Sequence, residues 1–227
     1  MDDLRIKQLI LLDSLVMLNL DEKNALDNST LEELILDMLQ TDYDGNYLKL
    51  GKYAPNGRSY MTTEEWGVYI ESLLYEKDGD VYDHSRFKEE FKDFLSDYVV
   101  TNYVSESDGS YGTEDEGGFG ACTFVKKSTD ENGNTVVDDV IIAYRTTSNS
   151  AIEWSDDVLN ANEVWTDEMD KSVSYINDIA AEYGGNITVT GHSKGGNRAQ
   201  YVTILTGCFC RVLLSIARKG MILCTKK

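Results

Sequence analysis

Ile187-Thr188-Val189-Thr190-Gly191-His192-Ser193-Lys194-Gly195-Gly196-Asn197-Arg198-Ala199 is the stretch whose reading decides the fold. Its first four residues are all β-branched, as a buried strand prefers. Gly191, Ser193 and Gly195 then fit the G-x-S-x-G pattern of a nucleophile elbow, a sharp strand-to-helix turn that lifts a serine hydroxyl above the end of a sheet. Strand and helix pass so close at such a turn that only glycine fits on either side of the serine. The helix that follows, expected over 196–206, aims its first N–H groups at the place where negative charge develops in acyl transfer.

Working outward, Trp165 to Tyr183 has the spacing of an amphipathic helix, stopped by Gly184-Gly185. Before it, Phe119–Lys126 and Val136–Arg145 read as strands joined by Asp130-Glu131-Asn132-Gly133-Asn134. Asn-Gly between β-branched runs is a hairpin signal. Strand, long helix, strand, helix makes a βαβα unit, so the sheet is expected to be parallel there.

Val189 to Asn197 resembles the elbow of class 3 (fungal-type) lipases, which usually carry a hydrophobic residue where Lys194 stands. It is closer to an uncharacterised bacterial lipase-like family that has both the lysine and the asparagine. Val140-Ile141-Ile142-Ala143-Tyr144-Arg145-Thr146-Thr147 resembles the strand that ends in Arg-Gly-Ser/Thr in those lipases, and Trp154-Ser155-Asp156-Asp157 their following Trp-x-x-Asp. The resemblance covers roughly residues 119–207. It implies an α/β-hydrolase-type three-layer core and a serine hydrolase acting on a carboxylic ester or acylglycerol.

In that chemistry Ser193 is the nucleophile, and one oxyanion donor is the backbone N–H of the residue after it, Lys194. The resemblance implies Thr147 as the second donor, although Thr146 stands where the lipases have glycine. It also implies a lid-like supporting role for Trp154 and Asp157; a helix cap is the plainer reading of the aspartates. The general base is the difficulty. The chain has two histidines. His192 is tied to the elbow and points away from the serine, and His84 belongs to the N-terminal helices. The lipases place their acid and histidine well after the serine, and no Asp, Glu or His occurs after residue 200. A catalytically inactive product or pseudoenzyme, or a binding module on the same scaffold, is therefore the rival reading.

Composition adds bounds. A chain of 227 residues can hold one α/β domain, and its formal net charge of −19 argues against nucleic acid or anionic membrane surfaces as partners. The charge is uneven: residues 201–227 have no acid but hold Arg211, Arg218, Lys219, Lys226 and Lys227. Three of the four cysteines, Cys208, Cys210 and Cys224, lie there too. The simplest explanation is a change of reading frame near Gly207 or a truncated gene model. A genuine short variant and a basic amphipathic segment touching a membrane or partner are the alternatives. On the first explanation residues 208–227 are mobile and leave an exposed sheet edge.

Cys122 is expected to be a buried thiol, and no cysteine has the partners of a zinc site. Asp42-x-Asp44-x-Asn46 lacks the glycine and glutamate of a calcium loop, so it reads as a turn. No metal or organic cofactor is expected. The apolar run from Leu9 to Leu20 is broken by Asp13, Ser14 and Asn19, which makes a poor signal peptide and no membrane span. The expected setting is cytoplasmic. Leu4–Leu20 reads as a buried helix, Leu31–Gln40 as a helix capped by Asn28-Ser29, and Thr62–Glu76 and Arg86–Tyr98 as two more, with 41–59 a loop. The expected organisation is a helical leader over 1–105, a partial α/β-hydrolase core over 106–207 and an atypical basic tail over 208–227. Oligomeric state is left open.

Overall fold

The structure is a computed structural model that describes residues 2–16, 29–33, 48–49, 60–61, 84–105, 119–145, 167–184, 186–192, 194–206, 212–215 and 222–224. The helix expected over 62–76 lies outside these residues.

Helix α1 (Asp3–Leu15) starts because the Asp2 carboxylate accepts the Arg5 N–H at 2.7 Å. It is apolar on more than one face, and Leu9, Leu11, Leu12 and Leu15 are all buried. The next helical turn, 31–33, is capped one residue later than the sequence suggested. Thr30 and Glu33 form the reciprocal capping box: Thr30 N–H donates to Glu33 Oε2 at 2.8 Å, and Glu33 N–H to Thr30 Oγ1 at 3.1 Å. Within 41–59, where a loop was expected, lies β1 (Leu48–Lys49), which pairs antiparallel with β2 (Tyr60–Met61) just beyond it as a separate ribbon. Helix α2 (His84–Asp97) buries Phe91, Phe94 and Leu95, the face its spacing announced.

The main sheet has six strands in chain order. They are β3 (Tyr98–Ser105), β4 (Gly120–Thr129), β5 (Thr135–Tyr144), β6 (Ile187–His192), β7 (Val212–Ser215) and β8 (Ile222–Cys224). The pairs β3–β4 and β4–β5 are antiparallel, β5–β6 and β6–β7 are parallel, and β7–β8 is antiparallel. The β4–β5 hairpin closes as its sequence requires. Gly133 sits at φ +84°, and the Asp130 carboxylate accepts the N–H groups of Asn132 and Asn134 at 2.9 and 2.8 Å. Helix α3 (Asp167–Tyr183) ends at Gly184 with φ +94° and returns the chain into β6. Helix α4 (Lys194–Thr206) follows β6 directly.

Strand alternation sorts the sheet into two faces. Val140, Ile142, Tyr144, Ile187 and Val189 pack with Tyr175, Ile176 and Ile179 of α3 and with Ala199 and Val202 of α4. Each fully buried aliphatic side chain there contributes about 1.5–3 kcal/mol. Helix α1 packs against β5, β6 and β7, and its Asp13 meets Thr190 of the opposite β6 face. Cys122 is a buried thiol, as expected. Among the described residues no helix is long and apolar enough to cross a membrane.

Two expectations are corrected here. Tyr98–Ser105, assigned to the helical leader, is a strand of the sheet. Val99, Val100 and Val104 supply β-branched positions, and the β4 edge supplies hydrogen-bond partners. The basic tail was expected to be mobile, yet Val212–Ser215 lies parallel to β6, with Val189 opposite Val212 and His192 opposite Ser215. Val212, Leu213 and Leu214 form an apolar run, and pairing satisfies the second edge of β6, which would otherwise stand open. A reversed charge sign in the surrounding tail does not alter that requirement.

Asp13 is 4% exposed, and neither of its carboxylate oxygens finds a hydrogen-bond partner among the described residues. Burial pushes its pKa well above the ordinary 3.8, and the nearby Thr190 hydroxyl offsets only part of that rise. The folded chain thus holds the proton more tightly than the unfolded chain does. Stability from this group is greatest below 3.8 and falls as pH rises through the folded pKa. Asp13→Asn is expected to raise stability at pH 8 by about 1–3 kcal/mol. The gain should shrink as pH falls towards 4, which urea titrations across pH will read. Hydrogen exchange tests the tail: Leu213 and Leu214 amides should be protected, and exchange at free-peptide rates would remove β7 from the sheet.

Candidate active site

The candidate site lies where β5 and β6 end and α3 and α4 begin, at the carboxyl ends of adjacent parallel strands. Open α/β sheets bind ligands at that end. Tyr144 and Arg145 close β5, and Gly191 and His192 close β6, with Tyr144 opposite Gly191 in the register.

The two elbow glycines are fixed by contact. A Cβ on Gly191 would stand 2.3 Å from the carbonyl carbon and 2.4 Å from the oxygen of Gly195. A Cβ on Gly195 would stand 2.2 Å from the Tyr144 carbonyl oxygen. All of these are backbone atoms, so no side chain can swing aside. The close passage that the motif demands is present at both positions. Ser193 between them lies outside the described residues, as do Thr147, Trp154 and Asp157. The structure therefore brings together Gly191, Lys194 and Gly195 of the sequence-derived set.

Lys194 opens α4, and its side chain is buried. Its ammonium lies 3.1 Å from Glu168 Oε2, near the start of α3. Arg198, one helical turn further along α4, pairs its Nη2 with the same oxygen and donates from Nη1 to the Arg145 carbonyl at 2.8 Å. The Arg198 guanidinium also stands 5.9 Å from the Phe119 ring centroid. Burial would raise the Glu168 carboxyl, but Arg198 and Lys194 outweigh it and hold the group below its ordinary 4.5. The carboxylate stays ionised at neutral pH.

Glu168 is itself held. The Ser172 hydroxyl donates to the Glu168 carbonyl at 2.7 Å, and the Tyr144 hydroxyl donates to the Ser172 carbonyl at 3.0 Å. Sequence reasoning missed Glu168 and Arg198. Their one signal was the spacing of Lys194 and Arg198, i and i+4, which puts two cations on one helix face that packs against the core.

His192 alternates onto the face of Thr188 and Thr190, away from the α3 and α4 side. Its Nδ1 is buried without a hydrogen-bond partner among the described residues, and burial lowers its pKa below 6.5. It is a neutral imidazole at pH 7, packed behind the turn as the sequence suggested. His84 is the first residue of α2, which packs at β3. Three strand spacings of about 4.8 Å separate β3 from β6. Among the described residues no group of His, Cys, Asp and Glu could hold a metal ion.

A family model described as Mbeg1-like matches residues 81–207. No curated protein and no solved structure matches the chain. The expectation of a class 3 (fungal-type) lipase-like chain, closest to an uncharacterised bacterial lipase-like family, is corrected by this match: no lipase or α/β-hydrolase homologue accompanies it. The physical reason is local. G-x-S-x-G reports a tight strand-to-helix turn, and any family that builds such a turn meets the same steric demand.

Gly191→Ala and Gly195→Ala are each expected to cost about 3 kcal/mol or more, because a methyl group must displace backbone. Gly133→Ala has open space but a positive φ, so its cost should be about 1 kcal/mol. Urea midpoints of the three variants give the ranking, and equal losses would contradict the crowding at the elbow.

Proposed function

The chain belongs to the Mbeg1-like family, a lipase-like family loosely compatible with a hydrolase, and on that premise we propose that it is a serine hydrolase acting on a carboxylic ester or acylglycerol. Ser193 attacks the carbonyl carbon and forms an acyl-enzyme, which water then hydrolyses. The backbone N–H of Lys194, at the start of α4, holds the oxyanion, with Thr147 as the second donor. On this reading the six-stranded sheet is the frame of an α/β-hydrolase-type core.

The observation that carries the proposal is the backbone crowding at Gly191 and Gly195. A turn held this tightly meets the steric demand that a nucleophile elbow makes of the two positions flanking its serine. The apolar β5–β6 core below and the N-terminus of α4 beside the turn complete the requirement.

A second reading, a scaffold without turnover, is favoured by the placement of the two histidines. His192 faces the α1 side of the sheet, and His84 opens a helix that packs three strands away. On this second reading neither histidine serves Ser193 as a general base.

A fluorophosphonate probe with intact-mass and peptide analysis separates the two. One adduct per chain on Ser193, absent in Ser193→Ala, is the expected result. Labelling should be slow, because removing the base from a serine hydrolase costs several orders of magnitude in rate. No adduct favours the scaffold, and labelling that persists in Ser193→Ala sinks the assignment.

A further inference from the structure

We infer that Glu168 is a positioning residue for the oxyanion-binding end of the site, holding the first turns of α4 against the chain that leaves β5. The inference rests on the hydrolase reading of Ser193.

The geometry is a bracket with one anion at its centre. Glu168 Oε2 meets Lys194 Nζ at 3.1 Å and also meets Arg198 Nη2. Arg198 Nη1 then reaches the Arg145 carbonyl at 2.8 Å. The carboxylate therefore ties together the residue that would supply the backbone oxyanion donor, the same helix one turn on and, through Arg198, Arg145, the first residue after β5 on the way to Thr147. In the hydrolase reading both oxyanion donors come from these segments.

All three side chains are buried, with side-chain exposures of 3% for Lys194, 1% for Arg198 and 7% for Glu168. Well-packed apolar side chains of similar volume would be at least as stable as such a trio. Stability is thus a poor reason for its presence. Fixed geometry is a better one: an oxyanion site works only when its donors are held to about 0.5 Å. Lys194 also sits at the positive end of the α4 dipole, where an ammonium is disfavoured, and Glu168 neutralises it there. The Tyr144–Ser172–Glu168 chain of hydrogen bonds anchors the bracket to β5 from the other side.

The test measures saturable fluorophosphonate inactivation of Ser193 in the full chain, separating the maximal rate from probe affinity. Glu168→Gln keeps the shape and removes the charge. Its maximal rate should fall about ten- to a hundredfold with affinity unchanged, a partial loss of what deleting an oxyanion donor costs. Glu168→Asp should recover part of it. Asp139→Asn serves as the stability control. It breaks the pair with Arg5 (2.5 Å), which lies by the amino end of β6. It should lower the melting temperature and leave the rate unchanged. A Glu168→Gln rate equal to wild type overturns the inference, as does an equal loss in Asp139→Asn. Should Glu168→Gln not fold, Arg198→Lys decides: a folded variant with the wild-type rate overturns the inference, and a slowed one supports it. A wild-type chain that takes no label refutes the hydrolase reading itself, before any variant is compared, and removes the inference with it.

Discussion

Between β6 and α4 two stretches of backbone pass closer than a methyl group allows. The positions of Gly191 and Gly195 leave no room for a Cβ against Gly195 and Tyr144 respectively. The consequences spread from that contact. Because Gly195 rests on the Tyr144 carbonyl, the start of α4 is fixed over the end of β5. Because β5 and β6 are parallel, their carboxyl ends and the starts of α3 and α4 meet in one place. The elbow and the charged bracket beneath it are thus one structural unit.

The two faces of the sheet are built on different terms. On the α3 and α4 side an apolar core extends from Phe119 to Val202, and the charges there are gathered at its end and paired around Glu168. On the α1 side Asp13, Thr190 and the Nδ1 of His192 are buried without hydrogen-bond partners among the described residues. Elsewhere α1 is joined to its surroundings by satisfied polar contacts. Arg5 bonds Asp139 and the Tyr98 hydroxyl, and Lys7 bonds Glu90. Burial of the Asp13 carboxyl on the α1 side makes stability sensitive to pH.

The family is lipase-like, and the turn between β6 and α4 is packed to backbone tolerance at Gly191 and Gly195. The base is a separate matter. A hydroxyl becomes a nucleophile only when a group within hydrogen-bond reach takes its proton; His192 ends β6 and His84 begins α2. Gly191, Gly195 and the Glu168–Lys194–Arg198 cluster form one unit at the ends of β5 and β6.

Local rules made much of the fold legible. The Asn-Gly hairpin, the Gly184 stop after α3, the apolar faces of α2 and α3 and the β-branched β6 all depend on residues near one another in sequence. The elbow glycines were legible for the same reason, since only three residues lie between them. Tertiary structure decided what depends on distant partners. The tail looked foreign by charge, but it supplies β7 because β6 needs a second edge partner, and an edge is a property of the sheet. Glu168 looked like one acid among forty Asp and Glu residues. Its role exists only because α3 brings it to Lys194 and Arg198, some 30 residues away, in a place too dry to leave any of the three charges alone.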